Sequence, residues 1–335
     1  MNRLIRKLGS VFAWIIVACL SLWVFAALYF DLSFTRFPFL TLILYVGVQA
    51  YLVKRGLPLR SSCVVGFLLV LAYWLSLKPS NNRPWQPNVA RTPWAEIKGD
   101  QVIIHDLRDC TYRTEEDYVC QWREKSVSLA QLRGLDLFVT YWGSPYIAHP
   151  ILSFRFGEND YVAASIEARY QVGKGYSTIR GFFRQYELVY VLAGERDLIR
   201  LRTNYRKGEE VYLFHTTSGP DWSRRLFLEY LGQANDLHDH PQWYNAATSN
   251  CTTNIFRHMA ATGQLPAGSS LHDWWILING QGPEILLRNG NLAGDLPYPE
   301  LKERAHINTV ARRVDDSPDF SQLIRLERPG FDASN

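Results

Sequence analysis

The sequence has little of several features that would point to a function class. Only 20% of its 335 residues are charged and the net charge is +4, so it does not indicate the basic surface of a nucleic-acid-binding protein. It has no glycine-rich phosphate-binding loop and no complete metal-ligand set, which gives no reason to expect a nucleotide cofactor or a metal. Five cysteines are too few for a disulfide-stabilised scaffold.

Charge is absent above all from three apolar runs near the N-terminus, at residues 11–30, 37–53 and 62–77. The first run has about the 20 residues that a helix needs to cross the hydrocarbon, and the other two are shorter. The pattern predicts a membrane region over residues 1–78 with three transmembrane helices. A cleaved signal peptide is the alternative for the first run, but that run is longer than a signal's apolar segment and no A-x-A-like site follows it.

The basic residues around these runs predict their orientation. Cytoplasmic loops carry an excess of Lys and Arg, and such residues precede the first run and lie between the second and third: Arg3, Arg6, Lys7, Lys54, Arg55 and Arg60. We therefore expect a multi-pass inner-membrane protein with a cytoplasmic N-terminus and a periplasmic C-terminal domain. Aromatic residues, 14% of the chain with eleven Trp, suit a protein that works beside a bilayer.

The rest of the chain divides by composition into three parts. Residues 79–95 are rich in Pro, Asn and Trp and predict a linker, residues 96–290 predict a mixed α+β domain, and residues 291–335 predict a polar tail. Within the domain we expect a short helix at 127–133 and an amphipathic helix at 223–231. Cys110 and Cys120 would face an oxidising compartment and could form a disulfide, although their spacing alone leaves this open.

Cys251 is the strongest candidate for a reactive side chain. Small polar residues at 248–250 offer helix N-caps, and Ile255, Phe256 and Met259 then recur at helical spacing. Cys251 is thus predicted in the first turn of a helix, where unpaired N–H groups and the helix dipole favour a thiolate nucleophile. The alternative is a small buried hydrophobic residue, since free cysteine is often buried.

Two predicted strands supply a partner for this cysteine. In residues 149–156 and 162–169 the even positions are largely apolar, so a hairpin with one core face must pair even positions with even ones. His149 and Glu167 then lie on the same face as opposite or diagonal neighbours. An imidazole beside a carboxylate is the arrangement that orients a general base. The alternative is a solvated strand face on which the two residues happen to alternate.

The remaining histidines make weaker candidates. His238 and His240 form an H-x-H pair before a proline but lack further ligands at a recognisable spacing, so we interpret them as part of a surface loop. His258 follows Cys251 by seven residues, about two helical turns, which is too far along the axis for direct contact.

Several blocks of sequence resemble one family. They are HPILSFRF, SIEAR, GFFRQYELVYV, ERDLIRLRT and YNAATSNCTTNI. In this order, over roughly residues 100–262, they resemble the extracytoplasmic domain of the Lnb-type lipoprotein N-acyltransferases. That family looks like a circularly permuted relative of the papain-like, NlpC-type cysteine enzymes, in which the histidine strand precedes the cysteine helix. The order of His149 and Cys251 agrees.

The resemblance implies an α+β, permuted papain-like domain with an antiparallel sheet, Cys251 as nucleophile and His149 as base. Glu167 as orienting residue comes from the strand register and not from the family. The implied activity is acyl transfer from membrane lipids to a lipoprotein amine. The family's membrane helices follow this domain, whereas here they precede it. A cell-wall peptidase or amidase, and a non-enzymatic envelope binding protein, therefore remain as alternatives.

Overall fold

The computed structural model describes residues 2–31, 38–265 and 279–331. The chain forms two compact units. The first contains residues 1–80 together with residues 176–186, and the second contains residues 81–175 and 187–335. An apolar stretch at 274–277, which the sequence alone leaves as either helical or irregular, lies outside the described residues.

The first unit is built on three apolar helices, α1 (Asn2–Phe30), α2 (Pro38–Lys54) and α3 (Leu59–Ser76). Val24 and Leu28 of α1 are buried in the small core of this unit, while most other apolar side chains point outward. In the described part of the chain, two helices, α1 and α3, are long and apolar enough to cross a membrane, and α2 is a shorter apolar helix. The sequence predicted three crossings, so length and composition support two of them.

The second unit contains a sheet of eight strands. The strands are β1 (Trp94–Lys98), β2 (Gln101–Tyr112), β3 (Tyr118–Ser128), β4 (Leu132–Trp142), β5 (Ala148–Phe156), β6 (Asp160–Arg169), β7 (Glu187–Ala193) and β8 (Glu209–His215). Their order is β1-β2-β7-β6-β5-β4-β8, with β3 paired to β2. All pairs are antiparallel except β2 with β7. The predicted α+β class with a largely antiparallel sheet is confirmed.

Helices cover both faces of this sheet. They are α4 (Glu195–Arg200), α5 (Pro220–Asp239), α6 (Cys251–Ala261), α7 (Gly282–Arg288), α8 (Tyr298–Ala305), α9 (Asn308–Arg313) and α10 (Phe320–Leu323). On one face Phe154 and Phe156 contact Phe227 of α5, with ring centroids 4.9 and 5.2 Å apart. On the other face Ile151 packs in a core with residues of α4, α9 and α10. The even face and the odd face of the hairpin are therefore both buried.

Three local predictions differ from the structure. Residues 127–133 are not a helix, because β3 continues to Ser128 and a single tight turn, Leu129–Gln131, leads into β4. Residues 81–93 of the predicted linker pack into the second unit, where Trp85 and Val89 are buried. The predicted polar tail folds into α8, α9 and α10, because a few widely spaced apolar residues such as Ile307 and Phe320 reach the core.

The β2–β3 hairpin answers the question left open by the cysteine spacing. Cys110 and Cys120 occupy directly opposite positions of the two strands, and they form a disulfide. The disulfide packs with Tyr112 and Leu201 in a small apolar core. The bond therefore ties the hairpin closed next to the segment that follows α4.

Candidate functional site

Cys251 is the first residue of α6, as the sequence predicted. The N-cap is Asn250, whose side chain accepts a hydrogen bond from the Thr253 backbone N–H, while the Thr253 hydroxyl accepts one from the Asn250 N–H. This reciprocal capping box fixes where the helix begins. The Cys251 side chain is only partly buried. It therefore lies at the positive end of the helix dipole and within reach of solutes.

The strands β5 and β6 part beside this helix. Their register pairs Leu152 with Ala164 and Phe154 with Val162, which confirms that even positions face even ones. Among the described residues the β5–β6 pairing extends no further than Leu152 and Ala164, yet β5 stays paired to β4 as far as Ala148, and β6 to β7 as far as Arg169. The sheet thus opens here, and α6 packs against both strands.

His149 bridges this opening. Its Nε2 lies 2.7 Å from the Ser165 hydroxyl and 3.2 Å from the Glu167 Oε1, both on β6. The Ser165 hydroxyl in turn donates to Glu167 Oε1 at 2.6 Å. The Cys251 side chain also contributes to the raised pKa of the imidazole, so it lies near enough to the ring to act on its charge. The structure therefore brings His149, Glu167 and Cys251 together.

The electrostatics of the site favour a charged imidazole. Burial disfavours the imidazolium, but the Glu167 carboxylate outweighs this effect, and the pKa of His149 is raised to about 9. Burial would also raise the pKa of Glu167, but His149 and Arg202 hold it well below its usual value. At neutral pH the pair is therefore an imidazolium and a carboxylate.

Arg202 is a charged partner that the sequence analysis did not single out. It follows α4 in a π-helical turn, Leu201–Tyr205, a feature that is often found at functional sites. Its guanidinium is nearly buried and donates to Glu167 at 2.8 Å and to Glu209 at 3.1 Å. Glu167 is thereby held between a cation from β5 and a cation from the π turn.

Asn279 joins the start of α6 to the start of β5. Its side chain pairs with the backbone of Ala148, donating to the carbonyl at 2.7 Å and accepting from the N–H at 2.8 Å. The same amide group donates to the Thr252 hydroxyl. Because Ala148 precedes His149 and Thr252 follows Cys251, this one side chain fixes the spacing of the two segments that carry the candidate pair.

A cavity lies on the face of the sheet formed by the even positions of β5, and it reaches Ala148 and Thr252, the chain neighbours of His149 and Cys251, but is not lined by His149 or Cys251 themselves. Thr252, Ile255 and Met259 of α6 line one wall, together with apolar residues of β4, β5, α5 and α7. Its seven polar residues are uncharged: Thr216, Thr217, Ser218, Thr252, Gln264, Asn279 and Asn291. No Asp, Glu, Lys or Arg from the described part of the chain lines it. The space beside the candidate nucleophile is suited to an apolar group.

The other histidines lie elsewhere. His258 is buried, accepts or donates a 2.6 Å hydrogen bond with the Tyr190 hydroxyl, and has a pKa lowered to about 4 by burial and by Arg257. His238 lies in the last turn of α5, which continues to Asp239, and His240 is the C-cap residue directly after the helix. Both are exposed, so the surface position is as predicted, and only His238 belongs to a helix and not to a loop. His238 pairs with Asp239 and His240 with Asp236. No group of three potential metal-ligating residues occurs among the residues that the structure describes.

Sequence reasoning found the strand pair and missed the residues that brace it. Ser165 shares the alternating face with Glu167, so the register argument could have included it. Arg202 gave no usable signal, because its position depends on a π turn within a charge-rich stretch. Asn279 lies far along the chain from both segments that it joins.

Taken together, the fold and the site are those of an α+β domain with a cysteine at a helix N-terminus and a histidine–glutamate pair on adjacent strands. Residues 118–280 match the family described as the Lnb N-terminal periplasmic domain, which supports the resemblance to the Lnb-type family that the sequence blocks indicated. The match extends from β3 to the turn that contains Asn279. No curated protein and no solved structure matches the chain.

Proposed function

We propose that this protein is a membrane-anchored periplasmic thiol acyltransferase that moves an acyl chain from a phospholipid to a lipoprotein amine. The observation that supports it best is that Cys251, at the start of a helix that lines an uncharged cavity, acts on the charge of the His149 imidazole. A nucleophile at a helix start, next to an imidazole that is oriented by a third group, is the arrangement of thiol acyl chemistry. The Lnb-type domain adds the periplasmic setting.

The reaction begins with the Cys251 proton on His149, so that the sulfur is a thiolate and the ring an imidazolium. The sulfur attacks the ester carbonyl, and N–H groups in the first turn of α6 stabilise the developing oxyanion. His149 then gives its proton to the departing alcohol oxygen, which leaves as a lysophospholipid. A thioester with Cys251 remains.

In the second half the lipoprotein amine attacks the thioester carbonyl. Its proton passes to His149, the amide product leaves, and the sulfur departs as the thiolate that began the cycle. Glu167 and Arg202 take no part in bond changes. Glu167 orients the ring and stabilises its charge, and Arg202 holds the carboxylate in place by the hydrogen bond at 2.8 Å.

The cavity favours this reaction over the alternative of a cell-wall peptidase or amidase. A peptide carries amide groups that lose their hydrogen bonds to water when they enter an apolar site, and each unmatched group costs about 1–3 kcal/mol. An acyl chain has no such cost and gains from burial. The uncharged and largely apolar lining therefore suits a lipid chain, whereas a peptide groove needs more polar partners.

Three crossings by α1, α2 and α3 complete the proposal. Basic residues favour a cytoplasmic position for the N-terminus and for the α2–α3 loop. A periplasmic C-terminal domain then requires an odd number of crossings. The 17 residues of α2 extend about 25 Å at about 1.5 Å per residue, close to the thickness of a thin bilayer.

The test is an intact-mass measurement after the full-length protein is incubated with a phospholipid of defined acyl chain. We expect the mass of one acyl group, localised to Cys251 and removed by an added lipopeptide amine. The Cys251→Ala protein should show no adduct, and Cys63→Ala should keep it. Release of a muropeptide product without any adduct would support the peptidase, and full lipoprotein acylation by Cys251→Ala would overturn the enzyme proposal.

A further inference from the structure

The segment between β6 and β7 belongs to the unit of the apolar helices. Residues 176–186 cluster with residues 1–80, although the strands on either side of the segment belong to the sheet. The whole connection, residues 170–186, is far longer than an antiparallel connection needs, since such strands can be joined by two residues. The segment therefore has contacts of its own to make.

Two side chains fasten this segment to the ends of α1 and α3. Gln185 donates to the Phe30 carbonyl at 2.7 Å and to Asp31 at 2.6 Å. Arg184 donates to the Leu77 carbonyl at 2.7 Å. The last carbonyls of a helix have no partner within the helix, so these bonds cap both C-terminal ends.

Asp31 and Trp74, at the ends of α1 and α3, also contact the segment. The Asp31 carboxylate accepts a hydrogen bond from the Trp74 indole at 2.8 Å and from the Arg184 backbone N–H at 3.2 Å. The Arg184 guanidinium lies 4.2 Å from the centre of a Trp74 ring, a cation–π contact. The segment is thereby held level with the ends of both helices.

The same segment turns three large apolar side chains outward. Tyr176, Ile179 and Phe182 are 46%, 64% and 47% exposed. The neighbouring Phe183 is buried, with its ring centroid 5.2 Å from that of Phe30. Three exposed apolar residues so near one another in sequence indicate a surface that is covered by something.

We propose that residues 176–182 form an interfacial wedge, with Tyr176, Ile179 and Phe182 inserted into the headgroup–acyl boundary of the leaflet where α1 and α3 end. The ends of membrane-spanning helices lie at this boundary, where Trp and Tyr are enriched, and Trp74 at the junction agrees with such a level. Apolar side chains held there lose water contact on insertion. The proposal requires α1 and α3 to be embedded and does not depend on the acyl chemistry.

The experiment uses the full chain with Cys19, Cys63 and Cys251 changed to Ser and one new cysteine for an environment-sensitive fluorophore. Ile179→Cys and Phe182→Cys are the test positions. Leu22→Cys is the control, because Leu22 is 71% exposed on α1 within the membrane span. Each protein is reconstituted into phosphatidylcholine–phosphatidylglycerol vesicles that contain lipids with a nitroxide quencher either near the headgroup or near the end of the acyl chain.

We expect the fluorophore at both test positions to lose most of its emission to the shallow quencher and much less to the deep one. The Leu22 position should show the reverse order, which would establish that α1 is inserted. If the Leu22 label is quenched while both test labels respond to neither lipid, the segment lies in water or against a protein partner, and the proposal is overturned. Because all three proteins lack Cys251, the result is independent of the proposed reaction.

Discussion

The two faces of the sheet are covered by different chemistry. On the even face the helix α5 packs by aromatic contacts, such as that of Tyr190 with Tyr230 at 5.6 Å, and the cavity beside α6 has no charged lining among the described residues. On the odd face, arginines pair with carboxylates in the interior: Arg325 with Asp136 and Glu195, Arg108 with Asp197, and Arg202 with Glu167 and Glu209.

The candidate site lies where these two faces meet. Cys251 comes from α6, on the apolar side, whereas His149, Ser165 and Glu167 occupy odd positions on the charged side. They reach each other only because β5 and β6 part beyond Leu152 and Ala164. An intact ladder would separate nucleophile and imidazole by the sheet itself. The split thus joins the surface that carries the uncharged cavity to the surface that carries the buried ion pairs.

The largest expected effect is on the charged face. Arg325 is nearly buried and is the cation that Asp136 and Glu195, 1% and 0% exposed, share. Removing one partner of a buried ion pair typically costs about 3–5 kcal/mol. We expect Arg325→Met to lower the free energy of unfolding by that amount in urea denaturation of the full chain.

The exposed Arg313 provides the matched control, and Arg313→Met should change stability by less than about 0.5 kcal/mol. An equal, small effect of both substitutions would mean that residues 298–331 are not part of the cooperative fold. In that case the odd face would not be the buried, charged surface on which the comparison rests.

The second expected effect concerns the His149–Glu167 pair, which lies where the two faces meet. Glu167→Gln removes the charge that contributes most, ahead of Cys251, to raising the pKa of His149 to about 9. Because this pKa is above its usual value, the imidazolium and its stabilising pairing are present below about pH 6.5 and are lost as the pH rises through about 9. In the variant the loss should occur at lower pH.

The measurement is the rate of alkylation of Cys251 by iodoacetamide between pH 6 and 10. At neutral pH we expect Glu167→Gln to react about tenfold more slowly, since each pKa unit changes the protonation equilibrium tenfold. Glu209→Gln is the control, because Glu209 pairs with Arg202 as Glu167 does. Identical pH profiles for both variants would show that the carboxylate of Glu167 does not set the charge of the imidazole.

The sequence was enough to single out Cys251, His149 and Glu167, but not to predict how the strands around them pair. The position of Cys251 followed from its capping residues, and the relation of His149 to Glu167 followed from a two-residue period, because both are local rules. The strand split has no local signal. The two strands separate because β5 stays paired to β4 and β6 stays paired to β7, while the pairing of β5 with β6 ends. This is a property of the whole sheet.

The odd face was harder to predict for a different reason. Charged residues are expected at the surface, so the charge-rich stretch from Glu195 to Arg202 gives no local sign of burial. Four of its side chains are buried because each finds an opposite charge: Glu195, Asp197, Arg200 and Arg202. Pairing of this kind depends on residues as distant as Arg325, and no pattern within the stretch reveals it.

The smallest expected effect tests whether the cavity on the apolar face selects the length of the acyl chain. Leu286 lines the cavity from α7 and is only partly buried, so Leu286→Trp can fill the cavity without crowding a closed core. If the cavity holds an acyl chain, the variant should shift the preferred donor toward shorter chains. Loss of room for one methylene costs about 0.8 kcal/mol, a few-fold change for each carbon.

The readout is the ratio of thioester adducts formed on Cys251 from an equimolar mixture of long- and short-chain phospholipids. Leu287→Trp is the control, because Leu287 is the next residue of α7, is also partly buried and does not line the cavity. A shift in Leu286→Trp alone places the chain on the even face. The same ratio in both variants would leave the cavity without a role in chain selection, and the contrast between the two faces would then be structural only.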